Sequence, residues 1–208
     1  ERIEKLGNTS RIHYSRHGEK QHLDVDHILV AVGRIPYTFG FGLENLGVEL
    51  NKNKTIKVDK YLRSSIRNIY ACGDVAGPYQ FTHMAGYDAG IVIRNALFRL
   101  PAKVSYSAVP WVTYTNPELA QVGMTEATAR KEHGDDIRIV TWDYAENDRA
   151  RAEADTKGFI KVVTTRKGRI LGAGIVGRQA GELIGTWSLA ISKKMKIGAI
   201  AGMIAPYP

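Results

Sequence analysis

Apolar and polar residues alternate along Arg11–Ser15, and His17-Gly18-Glu19-Lys20 supplies turn chemistry, so the chain opens as antiparallel strands. The return strand leads into Asp26–Gly33, where Ile28–Val32 is continuously apolar and suits a strand buried on both faces. Residues 37–55 lose periodicity and carry glycines at 40, 42 and 47. Short strands are expected over Thr55–Asp59 and Arg67–Asp74, the second ending in Gly-Asp. A helix is predicted over Met84–Phe98, with Ala85, Ala89, Val92, Ile93 and Leu97 on its buried side. Pro101 closes it, and residues 99–107 read as a linker.

Beyond the linker the pattern changes. A strand over Trp111–Thr115 meets the turn Asn116-Pro117-Glu118, and Leu119–Gly123 returns. Thr125 is placed to N-cap a helix, Glu126 sits in its first turn and Gly134 ends it. Strands follow at 137–143, 158–165 and 170–176, then a helix at 180–193. Strands followed by helices, without β-α-β alternation, indicate an α+β domain on an antiparallel sheet.

Composition sets limits. The 208 residues are 44% hydrophobic and 24% charged, enough apolar content for a folded core. No apolar run reaches about 18 residues, so no membrane-spanning helix is expected. Basic residues number 29 against 21 acidic, a net charge of +8, but they are scattered without interleaved aromatics. No nucleic-acid partner is expected; the charge reads as solvated surface with some attraction for anions. The histidines lack metal-ligand spacing. The single cysteine, Cys72, excludes a disulfide or redox pair within these residues and reads as a small buried residue of its strand. No leader is evident, and a cytoplasmic location is the expectation.

Gly172-Ala-Gly174-Ile-Val-Gly177 matches G-x-G-x-x-G. A dinucleotide site needs a following strand with an acidic residue about 20 positions on, and Lys193-Lys-Met-Lys196 stands there instead. These glycines read as a strand packed closely by other backbone.

The segment Ala71-Cys72-Gly73-Asp74 carries more. Ligands of α/β folds bind beyond the carboxyl ends of strands, a glycine there allows close approach, and an aspartate holds ligand hydroxyls. By itself Gly-Asp is a turn. In order around it stand Val30-Ala-Val-Gly-Arg-Ile-Pro36, Ile69-Tyr-Ala-Cys-Gly-Asp-Val-Ala76, Thr82-His-Met-Ala85 and Thr115-Asn-Pro-Glu-Leu-Ala-Gln-Val-Gly-Met-Thr-Glu126. This series resembles the C-terminal half of the class I pyridine nucleotide-disulfide oxidoreductases, the family of dihydrolipoamide dehydrogenase, glutathione reductase and mercuric reductase.

The resemblance implies an α/β plus α+β fold: partial Rossmann-like FAD- and NAD(P)-binding segments, then an α+β interface domain. It implies residues 1–36 as the end of an NAD(P)-binding domain, 37–105 as the returning segment of an FAD-binding domain, and 106–208 as an interface domain cut short at its C-terminus. It implies FAD and NAD(P)H as cofactors, a homodimer through residues 106–208, and a disulfide or metal ion as substrate. Asp74, beside Gly73, matches the family aspartate that hydrogen-bonds the ribityl chain of FAD. Phe81, Thr82 and His83 match the segment that brings backbone N–H groups to the flavin. Tyr207 stands where many members place a catalytic histidine, a departure closer to the mercuric-reductase branch; a phenol of pKa about 10 is a poor base at neutral pH. The family's FAD phosphate loop, redox cysteine pair and first NAD-domain strand are not matched, so the chain is expected to be an inactive portion of such an enzyme. The alternative is a self-contained, non-catalytic dimerisation module.

Overall fold

The computed structural model describes residues 2–207. The chain opens with an antiparallel meander of β1 (Arg2–Leu6), β2 (Thr9–Arg16) and β3 (Glu19–Val25), in which Ile3, Ile12 and Leu23 lie side by side. Gly18, at φ +86°, makes the β2–β3 turn.

The second half is built on a five-stranded sheet. Its strands are β4 (Pro110–Thr113), β5 (Glu118–Gly123), β6 (Ile137–Asp143), β7 (Phe159–Thr165) and β8 (Ile170–Gly177), in the order β4-β5-β8-β7-β6 and antiparallel throughout. The period-two pattern feeds both faces. Val162 and Ile175 pack with Ile184 and Ile191 of a helix over Ala180–Ser192, whereas Val163 and Leu171 pack with Ala129 of a helix over Glu126–His133. Ile175 is fully buried, and a core aliphatic side chain of this kind is worth about 2 kcal/mol. The Thr125 side chain accepts the N–H of Thr128, and Gly134 ends that helix in the left-handed region, as its sequence implies.

The glycines of the G-x-G-x-x-G run lie in the central strand. A Cβ on Gly172 would sit 1.9 Å from the Met124 carbonyl oxygen, and one on Gly174 would sit 2.7 Å from Oε1 of Gln121. Close packing, not phosphate binding, accounts for them.

The middle of the chain departs from its pattern. Ile28–Val32 forms no strand, and Leu29 and Val32 are more than 90% exposed. A strand buried on both faces needs partners at both edges, and these residues have none among those described. Thr55–Asp59 and Arg67–Asp74 are likewise reduced to single bridges, Leu50 with Ile56 and Arg63 with Tyr70. A small core of Val48, Ile56, Ala71 and Ala76 holds this region together. Cys72 is exposed rather than buried, because Ala71 on one side and Gly73 on the other take the inward positions.

The long helix, α1, spans Thr82–Ala96, two residues earlier at each end than its pattern predicts. Its buried face is Met84, Asp88, Ile91 and Asn95; Ile93 and Leu97 are exposed. Two buried polar residues lie on that face, so hydrophobicity alone pointed to the wrong side. The helices Glu126–His133, Asp148–Ala152, Ala180–Ser192 and Ile197–Ala201 are α2 to α5; α3 and α5 are too short to leave a periodic signature. No described helix is long and apolar enough to cross a membrane.

Candidate functional site

Gly73 and Asp74 form a tight helical turn with Val75, packed on the first turn of α1. Gly73 has φ +70°, and a Cβ there would lie 3.0 Å from the Cβ of Ala85. Glycine is therefore required both for the backbone conformation and for the approach. The N–H of Gly73 donates to Oδ2 of Asp88 at 3.2 Å. Oδ1 of the same carboxylate accepts from the Tyr106 hydroxyl at 3.1 Å. Asp88 is 2% exposed, so a single buried carboxylate ties together the Gly73–Asp74 turn, the body of α1 and the linker into the five-stranded sheet. Burial pushes the Tyr106 phenol well above its ordinary range, helped by the negative charge and hydrogen bond of Asp88.

Asp74 itself is half-exposed. Its Oδ2 lies 3.3 Å from the Arg34 guanidinium, with both side chains open to water. An ion pair of this kind contributes little and leaves lone pairs to accept other hydrogen bonds. Beside it, α1 begins without a side-chain cap at Phe81 and without an acidic residue in its first turn. The amides of Met84 and Ala85 turn back to the Phe81 carbonyl. The earlier amides, of Thr82 and His83, supply the donors and partial positive charge typical of a helix start. Acceptor and donors thus stand on adjacent turns.

The side chains of Phe81 and His83 have structural work. The rings stack at 5.1 Å with 10° between planes, and Tyr79 lies near-parallel to Phe81 at 6.4 Å. Nε2 of His83 lies 3.0 Å from the Pro110 carbonyl oxygen, which requires its N–H. The His83 ring is therefore engaged in holding α1 to β4, and its backbone is what remains for a ligand.

Tyr207 stands apart. It is 81% exposed, and its hydroxyl donates to Oδ2 of Asp148 on α3 at 3.3 Å. The Gly73–Asp74 turn packs on α1 at Ala85 and Asp88, Phe81–His83 begin that same helix, and Tyr207 contacts α3 instead. Among the described residues no cluster of histidine, cysteine or carboxylate is arranged to hold a metal ion. Sequence reasoning missed Asp88. The spacing Met84, Asp88, Ile91, Asn95 is a regular helical stripe, and its polar members were the available signal.

A chain whose Gly-Asp turn abuts an uncapped helix start, followed by an antiparallel α+β domain, has the build of a flavoprotein disulfide reductase. Comparison with known proteins bears this out. Residues 1–91 match the family model described as pyridine nucleotide-disulphide oxidoreductase, and residues 109–208 match that of the pyridine nucleotide-disulphide oxidoreductase dimerisation domain. The chain belongs to this family. A dihydrolipoyl dehydrogenase of Bacillus subtilis is 39% identical over 92% of the chain and 40% of its own length. A mercuric reductase of Bacillus cereus is 34% identical over the whole chain and 33% of its own length. Among solved structures, the Cu(II) complex of the HOCl-induced flavoprotein disulfide reductase RclA from Escherichia coli superposes with a TM-score of 0.85 at 33% identity, covering all of this chain and 46% of that one. LpdA from Mycobacterium tuberculosis gives 0.89 at 25% identity over 99% of this chain and 44% of that one. The chain thus spans less than half the length of these relatives.

Proposed function

We propose that this chain supplies the flavin-contacting turn and the dimer-forming domain of an FAD- and NAD(P)H-dependent oxidoreductase acting on a disulfide, dithiol or metal ion. The observation that carries the reading is the Gly73–Asp74 turn set against the uncapped start of α1. Bound FAD would supply the relay of electrons from NAD(P)H to the substrate. Asp74 would hold ribityl hydroxyls, since its carboxylate only accepts. The first-turn amides of Thr82 and His83 would face the pyrimidine edge, where a reduced flavin gathers negative charge. Gly73 permits the close approach, and Asp88 fixes the turn through the Gly73 amide.

In this reading residues 1–36 close an NAD(P)-binding domain, 37–105 belong to an FAD-binding domain and 106–208 form the interface domain of a homodimer. The exposed apolar side chains Trp142, Leu183 and Leu189 are candidates for the buried centre of that interface. Tyr207, whose hydroxyl donates to Asp148, would position substrate rather than move protons, because a phenol is a poor base at neutral pH. A reducing cytoplasm suits the exposed thiol of Cys72.

The test replaces the matching segment of the Bacillus subtilis relative with residues 1–208. The chimera is expected to purify as a yellow dimer whose flavin is bleached by NADH or NADPH. Asp74→Ala in it should lose flavin while far-UV circular dichroism is unchanged. A chimera that folds and dimerises but holds no flavin overturns the proposal and leaves the dimerisation module.

A further inference from the structure

The other end of α1 flanks a second feature, about 22 Å along the helix from Thr82. Small-molecule sites run about 300–1,000 Å³; this cleft measures about 780 Å³. Arg63, Arg67 and Arg99 all line it, together with Tyr70, Asn95 and Leu100, and no acidic residue does. None of the three guanidiniums lies in an ion pair among the described residues. Two further cations share the Tyr61 ring with Arg63: Lys60 and Lys103 lie 5.5 and 6.0 Å from its centre. The nearby Asp59 carboxylate accepts the N–H groups of Tyr61 and Arg63 through Oδ1. That carboxylate is turned to backbone amides and makes no ion pair with the three arginines.

The walls are rigidly joined. Buried Asn95 donates to the carbonyls of Tyr61 and Ala102 and accepts the Ala102 N–H, clamping the loop before the cleft to the turn after α1. Val104 N–H bonds the Lys60 carbonyl alongside. Arg63 is held between two rings, 5.3 Å from that of Tyr61 and 5.9 Å from that of Tyr70. Its Nε donates to the Tyr70 hydroxyl at 3.2 Å, which leaves the terminal fork for a ligand. Arg99 sits at φ +53° where the Leu100 N–H bonds back to the Arg94 carbonyl, so the close of α1 fixes its backbone.

We propose that this cleft binds a small molecule carrying a diphosphate group. Guanidinium forks match phosphate oxygens in geometry and charge, and three of them suit a compact trianion. Leu100, Pro101 and the Tyr70 ring offer an apolar rim for the organic part. The site needs no flavin, so it stands or falls apart from the function proposed above.

Inorganic pyrophosphate titrated into the 208-residue chain at low ionic strength, followed by calorimetry, tests the assignment. One saturable site per chain is expected. Arg67→Gln and Arg99→Gln, both at exposed positions, should each weaken it about tenfold. Arg63→Lys should weaken it too, although charge is kept, because lysine lacks the fork. Arg138→Gln, on the exposed face of β6, should leave binding unchanged, and circular dichroism checks that each variant is folded. Absence of saturable binding, an equal loss in Arg138→Gln, or tighter binding of citrate than of pyrophosphate would each overturn the proposal.

Discussion

Asp88 is the residue on which the candidate site most depends, and its removal gives a quantitative test. In Asp88→Ala the Gly73 N–H and the Tyr106 hydroxyl lose their acceptor in a region where Asp88 is only 2% exposed. A hydrogen bond to a charged group contributes about 1.5–3 kcal/mol. Two such bonds, partly offset by water entering the space, set the cost at about 3–4 kcal/mol. For a chain of this size each kcal/mol lowers the melting temperature by about 2–4 °C, so a fall of about 10 °C is expected in a circular-dichroism melt. Asp88→Asn keeps one oxygen for Gly73 and an amide for the Tyr106 oxygen, and should cost only about 1 kcal/mol. Tyr106→Phe and the double variant Asp88→Ala/Tyr106→Phe complete a thermodynamic cycle, with an expected coupling of about 1–2 kcal/mol. A melt of Asp88→Ala within about 2 °C of the parent, or strict additivity in the cycle, would refute the claim that this carboxylate joins the three segments.

Other outcomes follow from the same geometry. Gly73→Ala forces a Cβ into a left-handed turn 3.0 Å from Ala85; a loss of about 2 kcal/mol is expected in urea melts, and in the flavin-bearing chimera a weaker hold on FAD. Gly172→Ala drives a Cβ into the Met124 carbonyl at the centre of the sheet, so it should cost about 3 kcal/mol or more and expose amides of β5 and β8 to hydrogen exchange. The Tyr106 phenol is raised chiefly by burial. The folded state therefore binds its proton more tightly than the unfolded chain, so its contribution is fully present below a pH of about 10 and is lost as pH rises beyond it. Tyr106→Phe should flatten the alkaline limb of a stability-against-pH curve; an unchanged limb counts against a buried phenol.

The sequence by itself determined the second half of the chain almost completely. Its strands alternate, its turns carry Gly, Asn and Pro, and Thr125 and Gly134 mark both ends of α2, so local chemistry and tertiary packing agree there. It also determined the Gly73-Asp74 motif and its place before α1, because ordered motifs survive without any knowledge of packing. Only the tertiary structure decided which side of α1 is buried, since a stripe containing Asp88 and Asn95 is polar in sequence and becomes internal only when Gly73, Tyr106 and Ala102 arrive to bond it. It alone showed that Ile28–Val32 remains an exposed segment, because strand pairing is a property of neighbours rather than of hydrophobicity. It alone gathered Arg63, Arg67 and Arg99, which reach one cleft only because α1 brings its two flanking loops side by side. Periodicity records what each residue prefers; the partners that satisfy a buried carboxylate or leave a guanidinium free come from parts of the chain too distant for any local pattern to register.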